Sequence, residues 1–260
     1  MEPDSRFPWT LIIDIIFSML HIIATPIGNL GDLSPRAVEA LRRAALIACE
    51  DTRRTWQLLA HFGIPRPEMV SYRQGNEERI SVRVVAAVKA GAEVALCSDG
   101  GYPGISDPGY RLIRACAQEG APYDVIPGAS AVEVALLMSG LSTSSFTFRG
   151  FPPRGPGALR NWFAEDGDKE HTLVCFESPF RIAATLDAAL DALGDREAAV
   201  CIELTKLYER VHRGYLSDLV REFHGAKVKG EVALVIAGCN PKFRRELPLA
   251  AKADVPGGRR

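Results

Sequence analysis

The six cysteines, at positions 49, 97, 116, 175, 201 and 239, form no C-x-x-C pair and have no histidine at metal-ligand spacing. The usual zinc sites and a disulfide framework are therefore not indicated. Most of the thiols sit in apolar runs such as Val94-Ala95-Leu96-Cys97, where a free cysteine packs as a small hydrophobe and a reducing cytoplasm is the expected compartment. Also missing are G-x-G-x-x-G and G-x-x-x-x-G-K-[ST], which disfavours a standard dinucleotide fingerprint and a P-loop nucleotidase. Charge of one sign is lacking too. Thirty-one basic residues face 32 acidic ones for a net charge of -1, so no global positive field draws the chain to nucleic acid. Trp9–Ile23 is apolar, yet it carries Asp14 and is shorter than the roughly 20 residues a membrane span needs. No membrane association is expected.

What is present is ordinary globular material: 260 residues, 47% hydrophobic and 24% charged, enough for one large domain or two small ones. Residues 1–18 read as an appended extension, and the functional chain is expected to start at Met19, which opens Leu20-His21-Ile22-Ile23-Ala24. From there short apolar runs alternate with helical patterns, which predicts an α/β fold. Strands are expected at Leu20–Ala24, Leu46–Cys49, Glu93–Cys97 and Tyr123–Ile126, with helices after Ser34-Pro35, from about Glu77, from Gly109 and over Ser130–Ser139. The small polar stretch from Gly140 to Ser145 suggests a domain boundary at residues 142–143. Beyond it the strands predicted are Phe146–Arg149, Thr172–Phe176, Ala198–Glu203, Arg210–Tyr215 and Glu231–Gly238. Their close spacing favours hairpins, so a mixed-sheet second domain over 143–239 is expected to follow an α/β first domain over 19–142. Residues 240–260 read as a basic flexible tail. The chain from Lys206 onward holds twelve basic and six acidic residues.

The densest loop is Ser98-Asp99-Gly100-Gly101-Tyr102-Pro103-Gly104-Ile105-Ser106-Asp107-Pro108-Gly109. It follows an apolar strand, the place where open α/β sheets bind ligands, and twelve residues exceed what a plain connection needs. Asp99 could accept from a ribose diol or face an ammonium group. Pro26–Gly31 and Pro127–Ala131 follow strand ends in the same half, so three loops could form one pocket for a nucleoside-like ligand without a polyphosphate. Glu50-Asp51-Thr52-Arg53-Arg54 and Asn76-Glu77 supply charges that helix starts also use. Glu177-Ser178-Pro179-Phe180-Arg181 resembles a helix entry. Glu203 and Lys206 stand at a buried strand end, where desolvation can depress a lysine pKa and make it a base or an electrostatic clamp. A surface ion pair is the equal alternative.

T-P-I-G-N-L-G-D-L (25–33), E-D-T-R (50–53), N-E (76–77), S-D-G-G-Y-P-G-I-S-D-P-G (98–109), P-G-A-S-A (127–131), E-S-P-F-R (177–181), E-L-T-K (203–206) and K-G-E (229–231) stand in one order. In that order the chain resembles the ribosomal RNA small subunit methyltransferases that methylate a cytidine 2′-hydroxyl of 16S rRNA, within the tetrapyrrole methylase superfamily. Gly100 and Tyr102 depart from the S-D-A-G-T-P usual at the glycine loop. The resemblance implies a two-domain class III methyltransferase, homodimeric and cytoplasmic, acting on 16S rRNA within the small ribosomal subunit. S-adenosylmethionine would lie in a cleft between the domains lined by Gly28, Asp99, Gly101, Ile105, Ser130 and Ala131. Lys206 is the candidate base, oriented by Glu203, with Glu177 and Arg181 placing the RNA. Arg53, Arg54, Asn76 and the tail around Lys242, Arg244 and Arg245 are expected to touch RNA, because a neutral chain confines RNA affinity to patches. Two other readings stay open: a methylase of a tetrapyrrole or other small substrate on the same fold, and a non-catalytic RNA-binding module.

Overall fold

A computed structural model describes residues 18–246; all but Ser18 of the expected extension lies outside that range. The first unit is an all-parallel sheet in the order β3-β2-β4-β1-β5, formed by β1 (Leu20–Ile23), β2 (Leu46–Cys49), β3 (Glu68–Ser71), β4 (Val94–Cys97) and β5 (Tyr123–Ile126). Its three inner strands are buried along their whole length, as expected of a parallel sheet covered on both faces. Alternate residues serve opposite layers. Leu20, Ile22, Leu46, Ala48, Val94 and Leu96 share a cluster with Ile80, Val84 and Val88 of α3 (Glu77–Lys89) and Leu112 and Cys116 of α4 (Tyr110–Glu119). Ile23, Ile47, Cys49, Ala95 and Cys97 pack with Ala37, Ala40 and Leu41 of α1 (Pro35–Arg43) and Leu59 of α2 (Thr52–His61). Ser34 caps α1 by accepting from the Ala37 N–H at 3.2 Å, with Pro35 in its first turn.

The second unit is a mixed sheet, β6-β7-β10-β8-β9, of β6 (Phe146–Phe148), β7 (Thr172–Glu177), β8 (Glu197–Ile202), β9 (Arg210–Tyr215) and β10 (Val232–Ile236). β6 and β7 run parallel, while β10 pairs antiparallel with both β7 and β8 and the β8–β9 pair is the expected hairpin. One face packs against α6 (Pro156–Ala164), α7 (Ile182–Leu193) and α8 (Leu216–Phe223).

The other face corrects the expected boundary. It is covered by Val132, Ala135 and Leu136 of α5 (Ala131–Ser139), which join Val174, Ala199, Cys201, Ala233 and Val235 in one cluster. The first unit accordingly ends at Gly128, not near residue 142, and the loop Pro26–Leu30 also belongs to the second unit. The expected flexible tail needs the same revision over its first residues. Pro241–Phe243 forms a 3₁₀ turn, and Arg245 bonds through its N–H to the Asp195 carbonyl and through its guanidinium to the Asp195 carboxylate, both at 2.9 Å. Residues 247–260 lie outside the described range.

All six cysteines are unpaired and five are buried; burial pushes the thiols of Cys97, Cys175 and Cys201 up, that of Cys201 to about 11. Among the described residues no helix is long and apolar enough to cross a membrane, and no His/Cys/Asp/Glu group could hold a metal ion.

Candidate active site

Strand register brings the strand ends from which three predicted loops start to one edge of the first sheet. Ile23 pairs with both Cys97 and Ile126, so β1, β4 and β5 end level. β1 connects across β4 to β2, whereas β4 connects across β1 to β5. The β4/β1 boundary is therefore a topological switch point, where ligand crevices form. Thr25 and Gly101 exchange two backbone hydrogen bonds of 2.9 Å, and the Ser98 hydroxyl donates to the Gly101 carbonyl at 3.1 Å. Tyr102, one of the departures from the family pattern, accepts from the Gly128 N–H at 3.2 Å and so ties the loop after β4 to the one after β5. Gly128 packs closely: a Cβ there would lie 3.0 Å from the Ala24 carbonyl oxygen, tighter than most such contacts. Ile105 is half exposed, Ser130 occupies the N-cap position of α5 with its hydroxyl on Glu133, and Ala131 opens that helix.

Asp99 accepts from the Asp51 N–H at 3.1 Å and pairs with Arg54 at 3.4 Å. Burial, helped by the negative charge of Asp99, pushes the Glu50 carboxyl up. The hydrogen bonds from Arg53 hold Asp51 well below the usual carboxylate range. Three acidic groups thus stand at this edge with two arginines. Arg53 is mostly exposed and forks onto Asp51 at 3.1 and 2.8 Å, while Arg54 is engaged by Asp99. Asn76 is committed at both ends of its amide, which accepts from the Arg73 N–H at 3.0 Å and donates to the Ser71 carbonyl at 2.9 Å.

A second cluster lies at one edge of the second sheet, because Val232 pairs with both Glu177 and Ile202. Lys206 donates to Glu203 at 2.8 Å and pairs with Glu231 at 3.1 Å. The expected depressed lysine pKa is not what this arrangement produces. Burial alone would lower it, but the hydrogen bonds from the ammonium to Glu203 and Glu231 outweigh burial and raise it. The same contacts, with the Glu231 N–H, overcome burial at Glu203 and lower its carboxyl. Glu177 is fully buried and accepts from the Ser178 N–H and the Thr185 hydroxyl at 2.6 and 2.5 Å. Arg181 donates to the carbonyls of Pro152 and Pro153 at 3.4 and 2.7 Å and pairs with Glu177 at 3.4 Å. Those carbonyls, far away in sequence, carried no signal that reading along the chain could detect.

Gly28 lies against this cluster, where an added Cβ would overlap the Lys206 stem and come within 2.6 Å of the Thr205 hydroxyl. The turn cannot retreat freely, since Glu203 and Thr205 already hold left-handed backbone. Gly28→Ala is expected to cost about 1–3 kcal/mol by overpacking, read as a lowered thermal midpoint together with lost activity. An open pocket of about 280 Å³ lies at the opposite edge of this sheet, lined by Ser142, His171 and Thr172 among others. It includes none of the predicted site residues.

The model of the tetrapyrrole (corrin/porphyrin) methylases matches residues 19–220. The ribosomal RNA small subunit methyltransferase I of Halalkalibacterium halodurans is 44% identical over 227 residues, 87% of this chain and 78% of the relative. The chain belongs to the ribosomal RNA small subunit methyltransferase I family of tetrapyrrole methylases. Other members of the family include the Synechocystis protein of the same name, 43% identical over 87% of this chain and 81% of its own length. The Thermotoga maritima member is 41% identical and covered over 98% of its length, with 84% of this chain matched. The family fold is shared with solved structures. Uroporphyrin-III-C-methyltransferase from Thermus thermophilus matches with a TM-score of 0.62 at 21% identity, covering 85% of this chain and 94% of that one. Diphthine synthase matches at 0.63 and 18%, covering 84% and 89%.

Proposed function

We propose that this protein transfers a methyl group from S-adenosylmethionine to the 2′-hydroxyl of a cytidine in 16S rRNA, acting on the small ribosomal subunit as a cytoplasmic homodimer. The observation that carries the reading is identity of 41–44% to relatives named ribosomal RNA small subunit methyltransferase I. The chemistry of the first-sheet edge fits the cofactor. Glu50 and Asp51 follow β2 and Asp99 follows β4, and these strands end level because Cys49 pairs with Cys97; the three carboxylates, two of them paired with Arg53 and Arg54, offer acceptors that suit a ribose diol or an ammonium group better than a polyphosphate. On the first unit, Asp99, Gly101 and Ile105 would hold it. When bound, the cofactor supplies an electrophilic methyl group.

The chain's own part is placement. Methyl transfer to oxygen needs nucleophile, methyl and leaving group in line, and much of the barrier is met by orientation. Arg53 and Arg54 offer exposed guanidinium groups for phosphate, and Lys206 is a fixed cation near the reacting hydroxyl. Asp99→Ala is expected to weaken S-adenosylmethionine binding by about 1–3 kcal/mol, measured by calorimetry; unchanged affinity would place the cofactor elsewhere. The reading as a whole is tested with labelled S-adenosylmethionine. Small subunits from a strain lacking the gene should accept the label at one cytidine 2′-oxygen, and precorrin-type substrates should not. Binding to small subunits without transfer would instead indicate a non-catalytic RNA-binding module.

A further inference from the structure

We propose that Phe180 is a stacking platform for an unpaired base of the RNA substrate, an inference that rests on the rRNA reading above. Phe180 follows β7 at the edge that carries Glu177, Glu203 and Lys206, and 93% of it is exposed. A large apolar ring left in water on a pliable loop would fold back onto the protein. This loop is held. The Phe180 N–H bonds to the Ser178 hydroxyl at 3.3 Å and the Arg181 N–H to the Ser178 carbonyl at 2.9 Å. The Arg181 guanidinium then fixes the base of the loop to buried Glu177 and to the carbonyls of Pro152 and Pro153.

The same staple fixes a second ring. Phe151 sits on the loop after β6 that Arg181 grips, more than half exposed, with its inner side edge-on to Phe176 at 5.6 Å. Exposed Arg154 lies on that loop too. Exposed aromatic faces on held loops, one of which also carries an exposed arginine, match the two surfaces of a nucleotide, base and phosphate, and single-stranded RNA is read in this way. A second copy of the chain is the less suitable occupant. A stable protein interface buries about 800 Å² per partner, whereas the exposed rings named here are two, Phe151 and Phe180, on short loops that also carry Arg154. For a methylase that must place a ribose hydroxyl, a stacked base fixes the nucleotide at its other end. Arg181 acts through that loop as a positioning residue.

The test compares Phe180→Ala, Phe180→Leu and Phe180→Trp in methylation of small subunits, with calorimetry of S-adenosylmethionine as control. Stacking predicts that the alanine and leucine variants raise KM for small subunits roughly 10- to 100-fold. Their kcat should stay within a few-fold, cofactor affinity should be unchanged, and tryptophan should restore wild-type KM. Unchanged KM in the alanine variant, or full rescue by leucine, overturns stacking. Loss of self-association with KM intact overturns it in favour of a contact between copies. Wild-type protein that methylates no small subunit overturns the rRNA reading itself. In that event affinity for a fluorescent single-stranded RNA oligonucleotide decides on Phe180, and equal affinity of wild type and Phe180→Ala overturns the stacking role.

Discussion

Glu177→Ala is expected to lower stability by about 3 kcal/mol, the lower end of the range for removing one partner of a buried ion pair. The carboxylate has no exposed surface, and it is the common acceptor for the Ser178 N–H, the Thr185 hydroxyl and the Arg181 guanidinium. Removing it leaves two donors without an acceptor and a cation without its countercharge. The cost stays near the lower end because Arg181 is a quarter exposed and keeps the Pro152 and Pro153 carbonyls. Glu177→Gln preserves shape and an acceptor oxygen, so its loss should be about half as large. Urea unfolding measures both, and methylation is assayed at a temperature where both variants stay folded. A framework role requires the glutamine variant to keep activity. A folded glutamine variant that is stable but inactive would return Glu177 to the catalytic group.

How much of this was legible in the sequence follows from where each partner comes from. β1, β2 and β4 announced themselves because both of their faces are covered, so every residue except His21 is apolar or small. β3 did not, since an edge strand reading Glu68-Met69-Val70-Ser71 and only partly buried has no alternation to detect. α2 starts on Thr52-Arg53-Arg54, whose charges read as capping alone. α5 is apolar around most of its circumference, which predicts burial but not against which sheet. At the site, the glycine loops were visible as turn chemistry. The partners that decide what charged groups do were not. Asn76 is spent on Ser71 and Arg73, Arg181 on a loop 28 residues upstream, and Lys206 on Glu231, which arrives only because β10 lies between β7 and β8.

That last contact sets the prediction for Lys206. Its ammonium is held by Glu203 and Glu231 at 2.8 and 3.1 Å, which keeps its pKa above the ordinary lysine value despite burial. A group already protonated at neutral pH cannot take the proton of a 2′-hydroxyl, so under the proposed function Lys206 serves as a fixed positive charge for the negative charge that develops on oxygen while the proton leaves to water. Lys206→Ala should therefore cut single-turnover methylation by about 10²–10³-fold, the range for removing one preorganised donor. Lys206→Arg, which keeps the charge, should retain most of the rate. The pH dependence has a defined sign. A lysine with a raised folded pKa stabilises fully below its unfolded value of about 10.4 and loses that contribution as pH rises through the folded value. Glu203, held low by Lys206 and the Glu231 N–H against the opposing effect of burial, contributes above its unfolded value of about 4.3 and loses it as pH falls through the folded one. Between these limits the pair stays charged, so the wild-type rate should show no rise between pH 6 and 9 that the arginine variant lacks. Such a limb, vanishing in Lys206→Arg, would establish lysine as the base. A rate within a few-fold of wild type in Lys206→Ala would remove it from the chemical step.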